Sequence, residues 1–212
     1  MNNTEALDFF LNMSKEMGDD DKCVKLAFNA DCTAIDAKFI MNYADKNTEI
    51  LDIGTGTGLI VNKIYNNVKS IVCLEPFKEF TDHLVKSSNI QVINDNIFDF
   101  KTTKNFDLVT IFGSMHYFNK EEAEKVYLIV KKILKSNGTL IIKNQFGVNE
   151  DVTVSGYSEE QKTNYFAQYR YIASEVKLLK KFGFKNIETF DIYPPEANRW
   201  NNTHFYAIVA SV

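Results

Sequence analysis

An α/β fold built on one doubly wound, mostly parallel seven-stranded sheet with a C-terminal antiparallel hairpin is what this sequence predicts. Three observations predict it. From residue 49 onward, short apolar runs alternate with amphipathic stretches. The first run leads into a glycine-rich turn, ILDIGTGTGLI (50–60). The chain closes on two strand-like runs whose connection, PPEANRWNN, is too short for a helical crossover.

Before the alternation begins, two helices are expected over about 4–45. Leu7, Phe10, Leu11 and Met13 have helical spacing within 4–17, and Gly18 is a plausible stop. Over 33–45, Thr33 followed by Asp36 resembles a capping arrangement, and Ile35, Phe39, Ile40 and Tyr43 form an apolar face. The strand-like runs are then EILDIG (49–54), SIVCLE (70–75), IQVIND (90–95), FDLVTIFG (106–113) and GTLIIKNQ (138–145). Helices are expected between them, near 58–66, 77–87 and 120–135. Runs apolar on both faces suit a parallel sheet covered by helices, and the βαβ alternation makes the crossovers right-handed. Residues 158–182 read as a further helix closing at Gly183, because Phe166, Tyr169, Ile172 and Val176 have helical spacing. The final strands are FKNIETFDIY (184–193) and THFYAIVAS (203–211). Together these make a Rossmann-like sheet.

Composition narrows the function. The chain has 212 residues, of which 45% are apolar, enough for one sizeable core, and residues 1–212 are read as a single domain. Net charge is −4 and no basic block occurs, so nucleic acid is not an expected partner. Cys23, Cys32 and Cys73 form no CxxC pair, which speaks against a disulfide framework or a metal site. No signal peptide or membrane span is visible near the N-terminus, so a cytoplasmic location is expected.

The glycine-rich turn carries the sharpest chemical signal. A strand that turns abruptly into a helix while its backbone passes close to a ligand needs residues without a Cβ. Such a turn at the carboxyl end of a strand sits where open α/β sheets bind ligands. The dinucleotide pattern G-x-G-x-x-G would need glycine at 59 or 61, where Leu59 and Val61 stand. Asp52, Gly54, Gly56 and Gly58 instead match D-x-G-x-G-x-G, and the sequence resembles the class I S-adenosylmethionine (SAM) dependent methyltransferases from about residue 33 onward.

That resemblance implies SAM as cofactor and a set of residues around it. Asp52, Gly54, Thr55, Gly56 and Gly58 would hold the loop and the methionine end. Glu75, ending the second strand before Pro76, would accept from the ribose hydroxyls. Asp95 would accept from the adenine amino group, with Asn94 as the alternative, and Asn96 or Ile97 would offer a backbone amide. Gly113 and Ser114, in FGSMHYF, would lie against the methionine portion, with Met115 or Phe112 against the adenine or sulfonium. The same stretch lacks the [DNS]-PP-[YF] tetrapeptide of enzymes that methylate exocyclic amines of bases, which argues against a DNA adenine methyltransferase.

The acceptor side is read from the variable parts of the fold, chiefly an insertion at about 144–175 and the last hairpin loop. A base is required only for a hydroxyl or a protonated amine, and His116 and His204 are its candidates. Arg170 and Arg199, the chain's only arginines, both fall in these regions, and their planar forks suit a carboxylate or phosphate. Tyr157, Tyr193 and Trp200 could stack on a sugar or base. The stretch NRWNNTHFYA, with PPE before it, resembles small methyltransferases of surface-polysaccharide synthesis, including phosphoramidate-type capsule decoration. The expected partner is therefore a small, polar, anionic or neutral acceptor. The alternatives are another small metabolite or a SAM-binding protein that turns nothing over.

Overall fold

The computed structural model describes residues 2–16, 18–19, 32–158, 163–197 and 200–212. β1 (Glu49–Ile53) lies mid-sheet because both its faces are apolar. Ile50 packs in one core cluster with Ile71, Leu108 and Ile141, whereas Leu51 packs in the other with Val72, Val109 and Leu140. This period-two division over neighbouring strands is what a sheet covered on both sides requires. Each fully buried Leu or Ile contributes roughly 1.5–3 kcal/mol.

Around β1 the sheet has the order β3-β2-β1-β4-β5-β9-β8, with β2 at Ser70–Leu74, β3 at Ile90–Ile93, β4 at Phe106–Phe112 and β5 at Leu134–Gly147. These five strands pair in parallel. β9 (Thr203–Ser211) runs antiparallel to β5, and β8 (Lys185–Asp191) runs antiparallel to β9. The expected sheet and its terminal hairpin are therefore present.

Helices cover both faces. α2 (Thr33–Ile40) and the short α3 (Val61–Ile64) lie on the Ile50 side, through Ala37, Ile40, Val61 and Ile64. α5 (Lys120–Ile133) lies on the Leu51 side and buries Ala123, Val126, Tyr127 and Val130 at i, i+3, i+4 and i+7. Its start is set by a capping box: Glu122 N–H donates to Asn119 Oδ1 at 3.0 Å, and Asn119 N–H donates to Glu122 Oε2 at 2.9 Å. The Glu122 carboxylate also accepts from Asn3 N–H, which ties α1 (Asn3–Glu16) to the same point.

Several helix expectations change: α2 ends at Ile40 rather than near 45, and the helix expected near 58–66 is reduced to α3 and a 3-10 turn (Tyr65–Asn67). The helix expected over 77–87 shrinks to α4 (Lys78–Thr81), followed by irregular chain. The helix expected over 158–182 begins only at Ile172, as α6 (Ile172–Lys181). Before it, β6 (Val152–Ser158) and β7 (Thr163–Tyr169) form a separate antiparallel pair. Along Phe166 to Tyr169 burial alternates residue by residue, as a strand demands, and the aromatic-rich segment favours that conformation. Strand pairing outweighs the coincidental helical spacing.

Candidate active site

At the end of β1 the chain turns through Gly54 (φ 74°) and Gly56 (φ 57°). A Cβ on Gly54 would stand 2.9 Å from Ser114 Oγ, so the loop can pass the end of β4 only as glycine. Gly54 N–H donates to Leu74 O at 2.8 Å, which pins the loop to β2. Beneath it Asp52 is buried and accepts from Thr110 Oγ1 at 2.6 Å, while Thr55 Oγ1 donates to Asp52 O. Burial raises the Asp52 pKa, and the hydroxyls of Thr110 and Thr55 offset part of the rise.

Glu75 closes the next strand. Its Oε2 accepts from Gly56 N–H at 2.9 Å and its Oε1 from Phe77 N–H at 3.3 Å. Burial pushes its pKa up to about 7; the two backbone donors oppose the rise and nearby Asp52 adds to it. Asn94 does not face this site as an alternative to Asp95. It donates to Glu75 O and Thr81 Oγ1 and so braces the turn.

These residues border a cavity of about 640 Å³ at the carboxyl ends of the strands. Asp52, Gly54, Thr55, Gly56, Glu75, Pro76, Asp95, Asn96, Ile97, Gly113 and Ser114 all line it. Gly58 does not: its φ of 78° and a Cβ position 2.3 Å from Leu84 Cδ2 make it a packing glycine. Asn3, Ala6, Leu7 and Phe10 of α1 also line the cavity; Phe10 meets Tyr117 and Phe80 edge-on, and Asn96 Nδ2 donates to Asn3 Oδ1.

The cavity continues past Gly113 over β5 and β9. His116, on the 3-10 turn Met115–Tyr117, lines this part and places Nδ1 2.9 Å from Asn144 Oδ1. Asn144 Nδ2 donates to Gln145 O, so its Oδ1 faces the imidazole as an acceptor. His116 Nδ1 therefore carries the proton and Nε2 carries the lone pair. Burial lowers the His116 pKa to about 4, opposed by the Asn144 hydrogen bond and aided by the charges of Arg170 and Lys143.

Deeper in this part, Lys143 Nζ donates to Tyr193 Oη at 2.9 Å and lies 3.3 Å from Asp36 Oδ2. Tyr193 Oη donates to the Asp36 carboxylate at 2.8 Å. All three side chains line the cavity with Phe112 and Phe205. Of the expected acceptor residues, Tyr193 is thus in place, but beside partners that sequence reading missed. In sequence, Asp36 reads as part of a capping arrangement, and Lys143 only as part of the expected strand 138–145.

Several other residues expected on the acceptor side do not line the cavity among the described residues. Arg170 is buried: Nε donates to Glu175 Oε1 at 2.7 Å, and one terminal nitrogen donates to the carbonyls of Met115 and Phe118. It supports the turn bearing His116 from outside the cavity. His204 also lies outside it, with Nε2 2.7 Å from Asp191 Oδ1. Tyr157, on the β6–β7 hairpin, and Trp200 are exposed and do not line the cavity. Arg199 lies outside the described residues. Among the described residues no helix is long and apolar enough to cross a membrane, and no cluster of three or more His, Cys, Asp or Glu could hold a metal ion.

Comparison with known proteins agrees with this geometry. Residues 50–138 match the family model described as a methyltransferase domain. A carboxy-S-adenosyl-L-methionine synthase from Staphylococcus epidermidis is 23% identical over 193 residues, covering 79% of this chain and 80% of that protein. Among solved structures, DhpI in complex with SAM and HEP aligns with a TM-score of 0.73 at 11% identity, covering 96% of each chain. The 1,6-didemethyltoxoflavin-N1-methyltransferase of Burkholderia thailandensis, with that compound and S-adenosylhomocysteine bound, aligns with a TM-score of 0.69 at 11% identity, covering 99% of this chain and 86% of its own. Residues 50–138 thus match a methyltransferase domain, and the chain shares its fold with solved SAM-dependent methyltransferases.

Proposed function

We propose that this chain transfers a methyl group from SAM to a small polar acceptor. The observation that carries the reading is one continuous cavity joining the glycine loop, Glu75 and Asp95 to His116. The first set fits the cofactor. Gly54 and Gly56 present backbone without Cβ, Glu75 offers lone pairs to ribose hydroxyls beyond its two backbone bonds, and Asp95, on the same cavity wall, offers an acceptor for an adenine amino group.

When bound, SAM supplies a methyl group already activated as a sulfonium substituent. The protein's task is to align the acceptor, exclude water and receive a proton. Gly113 and Ser114 shape the passage between the two halves of the cavity. Nε2 of His116, bare of its proton, can accept one from an acceptor hydroxyl or hold it as a hydrogen bond. The insertion contributes Asn144, Gln145 and Tyr169 to the wall.

For the acceptor we favour a sugar, phosphate or phosphoramidate-type group of surface-glycan metabolism. The support is the resemblance of the segment around Trp200 to methyltransferases of that chemistry. A ring-containing small metabolite is the alternative, supported by the structural likeness to the toxoflavin enzyme. Calorimetry with SAM, followed by turnover against nucleotide-linked sugars, small phosphorylated metabolites and neutral glycans, tests the reading. Binding of NAD without SAM would overturn it, and SAM binding without turnover of any acceptor would favour a non-catalytic role.

A further inference from the structure

Lys143 is the only Lys or Arg lining the cavity among the described residues, and its surroundings are specific. Its ammonium lies 5.5 Å from the centre of the Phe112 ring, 4.8 Å from that of Tyr193 and 5.7 Å from that of Phe205. Aromatic faces attract a cation but accept no conventional hydrogen bond from it. Asp36 and the Tyr193 hydroxyl are its polar partners among the described residues. An ammonium carries three donors. One is directed to Tyr193, Asp36 lies 3.3 Å away as the ion-pair partner, and at least one donor remains for whatever enters the cavity.

The position of Lys143 separates it from the cofactor half. Glu75 and Asp95 follow β2 and β3, on one side of β1, whereas Lys143 and Phe205 belong to β5 and β9, on the other. β2 and β5 are three strand spacings apart, roughly 14 Å. The backbone of Lys143 accepts from Gly113 N–H at 2.7 Å, so the residue sits beside the passage between the halves.

We infer that Lys143, oriented by Asp36 and Tyr193, holds the methyl-accepting atom, and that this atom is oxygen. This rests on the proposed methyl transfer. A neutral amine nitrogen has one lone pair. If it accepted from Lys143, nothing would remain to attack the methyl carbon, and a protonated amine would be repelled. A hydroxyl, phosphate or carboxylate oxygen has at least two lone pairs, so one can accept from Nζ while another attacks. The new oxygen–carbon bond forms as the carbon–sulfur bond breaks, with its electron pair left on sulfur. A hydroxyl passes its proton to Nε2 of His116, and an oxyanion has none to lose.

The test uses the full chain saturated with S-adenosylhomocysteine and titrated calorimetrically with two probes, inorganic phosphate and phenol. At least one should bind. Lys143→Met should weaken that probe at least tenfold with S-adenosylhomocysteine affinity unchanged, and Lys143→Arg should restore part of the loss. Because Lys143→Met leaves Asp36 without its cation, the Asp36→Asn/Lys143→Met double variant serves as a second folded background. Binding of phosphate alone identifies an acidic oxyanion as the acceptor type; binding of phenol alone identifies a ring hydroxyl. Failure of both probes at tens of millimolar, or equal binding to wild type and both Met-containing variants, overturns the inference. If S-adenosylhomocysteine itself fails to bind, the methyltransferase reading fails instead.

Discussion

Arg170 and Glu175 form a buried fork-to-fork pair, with Nε 2.7 Å from Oε1 and a terminal nitrogen 3.1 Å from Oε2. Tyr127 of α5 donates to the same carboxylate, so one cluster ties α5, α6 and the turn after β4 together. Burial alone would lower the Arg170 pKa, but the charge and hydrogen bonds of Glu175 raise it. Arg170→Met strands a buried carboxylate and should cost about 3–5 kcal/mol of stability. Denaturant unfolding measures it, and a loss below about 1 kcal/mol would contradict the structural role.

If Glu75 accepts from the ribose as proposed, it should couple cofactor binding to pH. Its folded pKa, about 7, lies above the ordinary 4.5, so the native state holds more protons than the unfolded one between those values. The free protein's stability therefore falls as pH rises through this window, and the Glu75 share of the cost is constant above it. Ribose hydroxyls donate best to the ionised form. SAM affinity should rise between about pH 6 and about pH 8, and Glu75→Gln should flatten that rise and weaken binding. Calorimetry at several pH values decides; a wild-type slope kept in the Gln variant assigns it elsewhere.

His116→Gln should lower kcat by ~10²–10⁴ if the imidazole takes the acceptor proton. Because its pKa is held near 4, His116 stays neutral at ordinary pH and should add no rate inflection near 6.5. His204→Gln, outside the cavity, should leave kcat within about twofold. Rates measured across pH for both variants check this.

Gly58→Ala should be a stability lesion. It forces a positive φ on alanine, at roughly 1–2 kcal/mol, and drives its Cβ into Leu84. Adding Leu84→Ala should relieve the clash but not the backbone strain. Thermal unfolding of both singles and the double measures that coupling.

The sheet and the glycine-loop side of the cavity were legible because their signals are local. Short runs apolar on both faces mark the central strands, and Asp52 to Gly56, Glu75 and Asp95 fall at successive strand ends within one stretch of chain. The acceptor half is assembled from α2, β5, β9 and the loop after β8. Its Asp36, Lys143, Tyr193 and Phe205 each have an ordinary structural reading in isolation. Arg170 misled because scarcity suggested recognition, whereas a buried guanidinium is equally suited to satisfying Glu175 and two orphan carbonyls. The β7 segment misled because Phe166, Tyr169, Ile172 and Val176 have helical spacing, although only the last two belong to α6 and the first two fall in a strand of alternating burial.

The lining of the cavity carries Asp36, Asp52, Glu75 and Asp95 against Lys143, with His116 neutral above about pH 4. An enclosure with an excess of carboxylates holds a cation more firmly than the neutral molecule of the same shape. Methyl transfer removes the positive charge from sulfur, so the reaction itself loosens the protein's grip on the spent cofactor. Charge asymmetry in the walls then favours exchange of product for fresh substrate, and Glu75, with its pKa near 7, adds to that preference only as it ionises.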